Sequence, residues 1–159
     1  MEAPYSKGYI ACDPGAKGSI CLLVPDTNKI MFIDNTAIPM DIATWIQLAK
    51  KEYIIYTAMI EKVHAIQGTS AGSNFKFGYN TGLITGVIQT LGLGLEQITP
   101  KQWQKYIGVK SKGSAIKKEV AAICERLYPG AEIRGPRGGL LDGRSDALMI
   151  AHYASKHLN

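Results

Sequence analysis

Four carboxylates in this 159-residue chain sit where an ionised side chain needs a reason. Asp13 separates two apolar runs in YIACDPGAKGSICLLVP, and Glu61 directly follows one in AMIEKV. Asp142 and Asp146 stand four apart in LLDGRSDALMIAHYA. An unpaired carboxylate at the edge of a core costs on the order of several kcal/mol. Singly, each has an ordinary explanation as a turn residue, an exposed strand end or a helix N-cap. Jointly, two strand ends and one helix start can converge on one cleft, where clustered like charges call for a cation. Oxygen ligands without His or Cys suit Mg²⁺ or Mn²⁺. Two such ions roughly 3.5–4 Å apart activate a water and stabilise the leaving oxygen in phosphodiester displacement.

The elements that must position these groups follow from periodicity. Residues 8–12, 19–24 and 29–34 read as three strands joined by tight turns, hence antiparallel, with Pro14, Gly15 and Gly18 as turn chemistry. MDIATWIQLAK reads as a helix with Asp41 as N-cap, residues 56–63 as a fourth strand and LEQITP as a fifth. Further helices are expected over about 74–91, 100–106, 114–127 and 145–157. Hairpin strands followed by alternating helix and strand predict an α/β fold, a five-stranded mixed sheet with helices on both faces, in one domain spanning 1–159. Asp13 and Glu61 then end strands, Asp146 lies on the last helix, and Asp142 lies on it or in the loop just ahead.

Cys12, Cys21 and Cys124 show no CxxC spacing and two lie in apolar runs, so buried reduced thiols are expected. No apolar run reaches 18 residues and the first residues carry no signal-peptide core, which predicts a soluble intracellular protein without a membrane partner. The formal net charge is +5. With four of the 13 acidic residues gathered in one site, 18 basic residues face nine acidic ones elsewhere, a balance that favours a polyanionic partner.

IACDPGAKGSICLL, then MIEKVHA, then DGRSDALMIAHYA, in this order over nearly the whole chain, resembles the RuvC-type Holliday junction resolvases of the RNase H-like superfamily. The D-P-G turn and the Asp-Ala-Leu helix are the specific parts. The resemblance implies an RNase H-like fold and a homodimer that binds four-way DNA junctions and cuts two opposed strands symmetrically. The nicks would carry 5′-phosphates, in recombination, repair or processing of branched DNA. It maps the metal ligands, and with them catalysis, onto Asp13, Glu61, Asp142 and Asp146, with two Mg²⁺ ions per site and Mn²⁺ able to substitute. The last pair departs from the bacterial pattern, where the two acids are three apart. Its four-residue spacing is similar to the viral and organellar branches. Lys117 maps to a position near the scissile phosphate, and His64 to the segment that enters the junction centre, where a bulkier aromatic is usual.

Around this site the sequence offers a DNA surface. Lys110, Lys112, Lys117 and Lys118 surround a helix start at Gly113–Ser114, with Trp103 and Tyr106 interleaved upstream. Arg134, Arg137 and Arg144 flank the last helix, in a glycine-rich stretch that lacks the GK[ST] of a phosphate loop. Gly78, Gly82 and Gly86 recur every four residues on one helix, at about 1 kcal/mol each relative to Ala. They imply close approach of another backbone, either the sheet beneath or a dimer mate. Phe75, Phe77 and Tyr79 read as core or dimer contacts, with base stacking as the alternative. Competing functions are a general branched-DNA or RNA–DNA hybrid nuclease of the same superfamily, and a non-catalytic junction-binding module. A two-lobed sugar-kinase-like ATPase does not fit in 159 residues.

Overall fold

Strands β1 (Tyr9–Cys12) and β2 (Ser19–Val24) send alternate side chains into two separate cores, which is why both read as unbroken apolar runs. Ala11, Cys21 and Leu23 face one way; Ile10, Cys12, Ile20 and Leu22 face the other. In this computed structural model, which describes residues 5–62 and 64–158, β1 is the central strand of a five-stranded sheet. The strand order is β3-β2-β1-β4-β5, where β3 is Lys29–Asp34, β4 is Thr57–Glu61 and β5 is Gly94–Ile98. β1, β2 and β3 pair antiparallel, while β1–β4 and β4–β5 pair parallel, so the sheet is mixed.

Helices α1 (Pro39–Glu52) and α2 (Ala71–Thr90) cover one face through Ile42, Ile46, Ile84 and Ile88. Helices α3 (Pro100–Ile107), α4 (Ala115–Leu127) and α5 (Asp142–His157) cover the other through Trp103, Val120, Cys124 and the apolar stripe of α5. The expected α/β fold, with helices on both faces, is what the chain forms. Cys12, Cys21 and Cys124 are buried free thiols within it.

Several boundaries differ from the sequence expectation: α2 opens at Ala71, ahead of residue 74, and β4 ends at Glu61, not at 63. Helix α1 opens at Pro39, whose fixed φ suits the first helical position, so Asp41 lies within the first turn and is not the N-cap. Helix α5 opens at Asp142, three residues earlier than expected, because the Leu141 carbonyl accepts both the Arg144 and Ser145 amides. Asp142 and Asp146 are therefore both helical and one turn apart.

Candidate active site

The β1–β4 pairing decides the first half of the site. Cys12 pairs with Ile60 in parallel register, so the next step along both strands sets Asp13 beside Glu61. Parity sends both carboxylates to the face covered by α5, with Ala11 and Met59. The turn after Asp13 is held from inside. Asp13 Oδ1 accepts the Gly15 amide at 3.0 Å. Asn35 Nδ2 donates to the Asp13 and Gly15 carbonyls at 2.7 and 2.8 Å, and its own amide donates to the Gly18 carbonyl. Glu61 is held from the opposite side, where Oε1 accepts the Trp103 indole N–H at 2.8 Å.

The second half arrives on α5, which packs across β1 and β2. Gly143 and Gly18 form a backbone bridge at its start. A β-carbon on Gly143 would land on the Lys17 carbonyl and within 2.6 Å of the Gly18 α-carbon; one on Gly18 would land on the Asp13 carbonyl. This glycine-to-glycine seat delivers Asp142 and Asp146 beside Asp13. Arg144 locks it from the outside: Nε and Nη2 each reach the Asp34 carboxylate at 3.0 Å, Nη1 donates to the Glu132 carbonyl, and the guanidinium covers the Phe32 ring. Arg144→Ala is expected to lower stability by about 1 kcal/mol, a few degrees in Tm. An unchanged melt with weaker, less salt-sensitive junction binding would instead assign Arg144 to DNA.

The electrostatics are those of crowded, part-buried acids. Burial first, then the neighbouring charges of Asp13, Glu61 and Asp142, push the Asp146 carboxyl up to about 8. Burial and Asp13 push Glu61 up to about 7, against the opposing pull of the Trp103 hydrogen bond. Asp13 is also raised by burial, although the Gly15 amide opposes the shift. The Lys117 ammonium pairs with Asp142 Oδ2 and is raised by it, with Asp146 and Asp13 adding to the effect. Asp13, Asp142, Asp146 and Lys117 line one open groove of about 450 Å³, together with Lys17 from the β1–β2 turn and Lys76 and Phe77 from α2.

The donor set is all carboxylate oxygen, which suits a hard divalent cation. As the side chains stand, no three Asp, Glu, His or Cys groups among the described residues are close enough to grip an ion. The four acids are within one another's field, and Lys117 supplies their counter-charge. Holding an ion would require the carboxylates to draw in around it.

No protein-family model matches the chain. The crossover junction endodeoxyribonuclease RuvC of Zymomonas mobilis subsp. mobilis is 32% identical over 103 residues, covering 62% of this chain and 56% of that relative. The chain thus matches little more than half the length of that curated relative. Thermus thermophilus RuvC in complex with Holliday junction substrate superposes with a TM-score of 0.61 at 14% identity, over 94% of this chain and 95% of that one. The chain has the RuvC fold. A further Thermus thermophilus RuvC structure gives a TM-score of 0.58 over the same shares.

Most of the remaining sequence candidates are exposed. Lys110, Lys112 and Lys118 are exposed in the loop before α4 and on its first turn, where Glu119 accepts the Lys110 and Ser111 amides. Arg137 is exposed, while Arg134 is paired with Glu125 at 2.6 Å. His64 is exposed in the segment between β4 and α2. Gly78, Gly82 and Gly86 line the outer face of α2, where an added β-carbon meets nothing within 4 Å. The sheet beneath is therefore not what these glycines approach. Phe75 and Tyr79 are exposed beside them and stack with ring centroids 6.3 Å apart.

Trp103 corrects the sequence reading. Interleaved with lysines, it resembled part of a DNA surface, yet it is fully buried and points at Glu61. The amphipathic pitch of α3 separates it from Lys101 and Lys105, which are exposed. Asn35, Lys76 and Lys17 were also missed. Only contacts between distant segments mark them, and nothing local in the sequence does.

Proposed function

We propose that this chain is a divalent-metal-dependent endonuclease that resolves four-way DNA junctions by paired symmetric nicks leaving 5′-phosphates. The observation that carries the reading is the convergence of Asp13, Glu61, Asp142 and Asp146 from two strand ends and one helix start, with Lys117 against them. A protein that only binds DNA has no use for four acids beside the phosphates. The likeness to RuvC, including the structure with a Holliday junction substrate, supports the choice of substrate.

In this reading the four carboxylates would hold Mg²⁺, in two ions, with Mn²⁺ able to substitute. When bound, the metal lowers the pKa of a water and offsets the charge of the phosphate. The chain's own residues do the rest. The locked Asp13 turn and the Trp103-held Glu61 hold two of the four carboxylates in place before substrate arrives. Lys117, now paired with Asp142, lies where it can turn its charge to a phosphate oxygen. Lys110, Lys112, Lys118 and Arg137 add exposed positive charge for the arms, and His64 would meet the junction centre. Gly78, Gly82 and Gly86 would seat the second copy of a homodimer along α2. Residues 1–159 would act as a single nuclease domain working inside the cell. Among the described residues no helix is long and apolar enough to cross a membrane.

Labelled four-way junction, plain duplex, flap and RNA–DNA hybrid, each incubated with the protein and Mg²⁺, test this directly. Paired incision of the junction alone is expected. Equal cutting of plain duplex, cutting of the hybrid alone, or binding without any cleavage would overturn it. Junction affinity should also fall steeply with salt, by roughly 10³-fold or more between 50 and 200 mM if about six phosphates are neutralised.

A further inference from the structure

We propose that Trp103 is a positioning residue for the metal: its indole N–H fixes one oxygen of Glu61 so that the other is presented to the cation. This rests on the reading of Glu61 as a metal ligand and adds to it a residue outside the four acids.

The geometry is built by local rules. Glu61 closes β4 and pairs in register with Ile98, the last residue of β5. Thr99 then caps α3 in a reciprocal capping box with Gln102, and Pro100 occupies the first helical position. These two devices start the helix at once, so Trp103 falls on its inner side, directly under Glu61. The ring is fully buried in the core that also holds Met59, Ile98 and Val120. A buried indole N–H must find an acceptor. Here it takes Oε1 of Glu61 at 2.8 Å, and among the described residues no other protein group donates to that carboxylate.

Phe would fill most of this volume but would offer Glu61 no donor. A hydrogen bond from a rigid, core-anchored ring selects one rotamer of a flexible glutamate, which shortens the search an ion would otherwise impose. Groups that hold a ligating carboxylate typically contribute roughly 10- to 100-fold to metal affinity or activity.

The chain has two tryptophans, Trp45 and Trp103, so two indole N–H signals are expected in the ¹⁵N-labelled full-length protein. Titration with Mg²⁺ should move the Trp103 signal and leave that of Trp45 in place. Glu61→Gln should shift the Trp103 signal upfield and abolish its response to Mg²⁺. Trp103→Phe should weaken Mn²⁺ binding by roughly 10-fold, with junction cleavage recovering as the metal concentration is raised and little change in the maximal rate. If Trp103→Phe binds Mn²⁺ as tightly as the unmodified protein while Glu61→Gln does not, Glu61 is a ligand but Trp103 does not position it. If the unmodified protein binds no Mn²⁺, the metal reading itself falls, and the positioning role with it. Should Trp103→Phe fail to fold, the indole signal decides alone: a Trp103 resonance indifferent to both Mg²⁺ and Glu61→Gln overturns the proposal.

Discussion

If the proposed metal site is right, Asp146→Asn should lower junction cleavage by about a thousandfold or more while junction binding persists, because it would remove one charged oxygen ligand without changing shape. The same substitution should act on stability in the opposite direction. Asp146 is pushed up to about 8 and Glu61 to about 7, in both cases chiefly by burial. A carboxyl whose folded pKa exceeds its unfolded value favours the folded state fully below the unfolded value and loses that contribution as pH rises through the folded one. Thermal melts in EDTA should therefore fall between about pH 4 and about pH 8, counter to the usual carboxylate trend. Asn at 146 should flatten this decline and raise stability at pH 8 by ~1–3 kcal/mol. That figure follows from about 1.4 kcal/mol for each pH unit separating the folded and unfolded pKa, reduced for the field shared with Glu61. Loss of junction binding, or a lower melting temperature in EDTA, would make Asp146 a structural residue.

Gly143→Ala should, with Gly18→Ala, be among the most damaging single-methyl changes in the chain. The added carbon would land on the Lys17 carbonyl and against the Gly18 α-carbon, both backbone, so no side chain can swing aside. Helix α5 must then lift from the β1–β2 turn, carrying Asp142 and Asp146 with it. A loss of about 3 kcal/mol or more is expected, near 10 °C in Tm, with cleavage lost even below the melting temperature. Gly139→Ala, in a loop where a β-carbon meets nothing within 4 Å and φ is not positive, is the matched control and should melt close to the unmodified chain. Equal melting of the two variants would mean that α5 does not depend on this seat.

The sequence alone determined a good deal. Periodicity and turn chemistry specified the strands and helices with boundaries off by a few residues at most, since buried strands and capped helices leave local marks. It also singled out Asp13, Glu61, Asp142 and Asp146, because a carboxylate beside an apolar run is conspicuous whatever the fold. The family resemblance rested on those same segments, and the RuvC-like fold agrees with it.

Tertiary structure decided what connects them. The parallel register that sets Glu61 beside Asp13, the Gly18–Gly143 seat, the Asn35 clamp on the Asp13 and Gly15 carbonyls and the Trp103 hydrogen bond all join residues 20 or more apart in sequence. Trp103 shows why such features escape a linear reading. Its neighbours in the chain are lysines and glutamines, and only the face of α3 on which it falls turns it from solvent to the core. Which groups a side chain meets is fixed by the packing of whole elements, and that packing leaves no mark within the few residues around it.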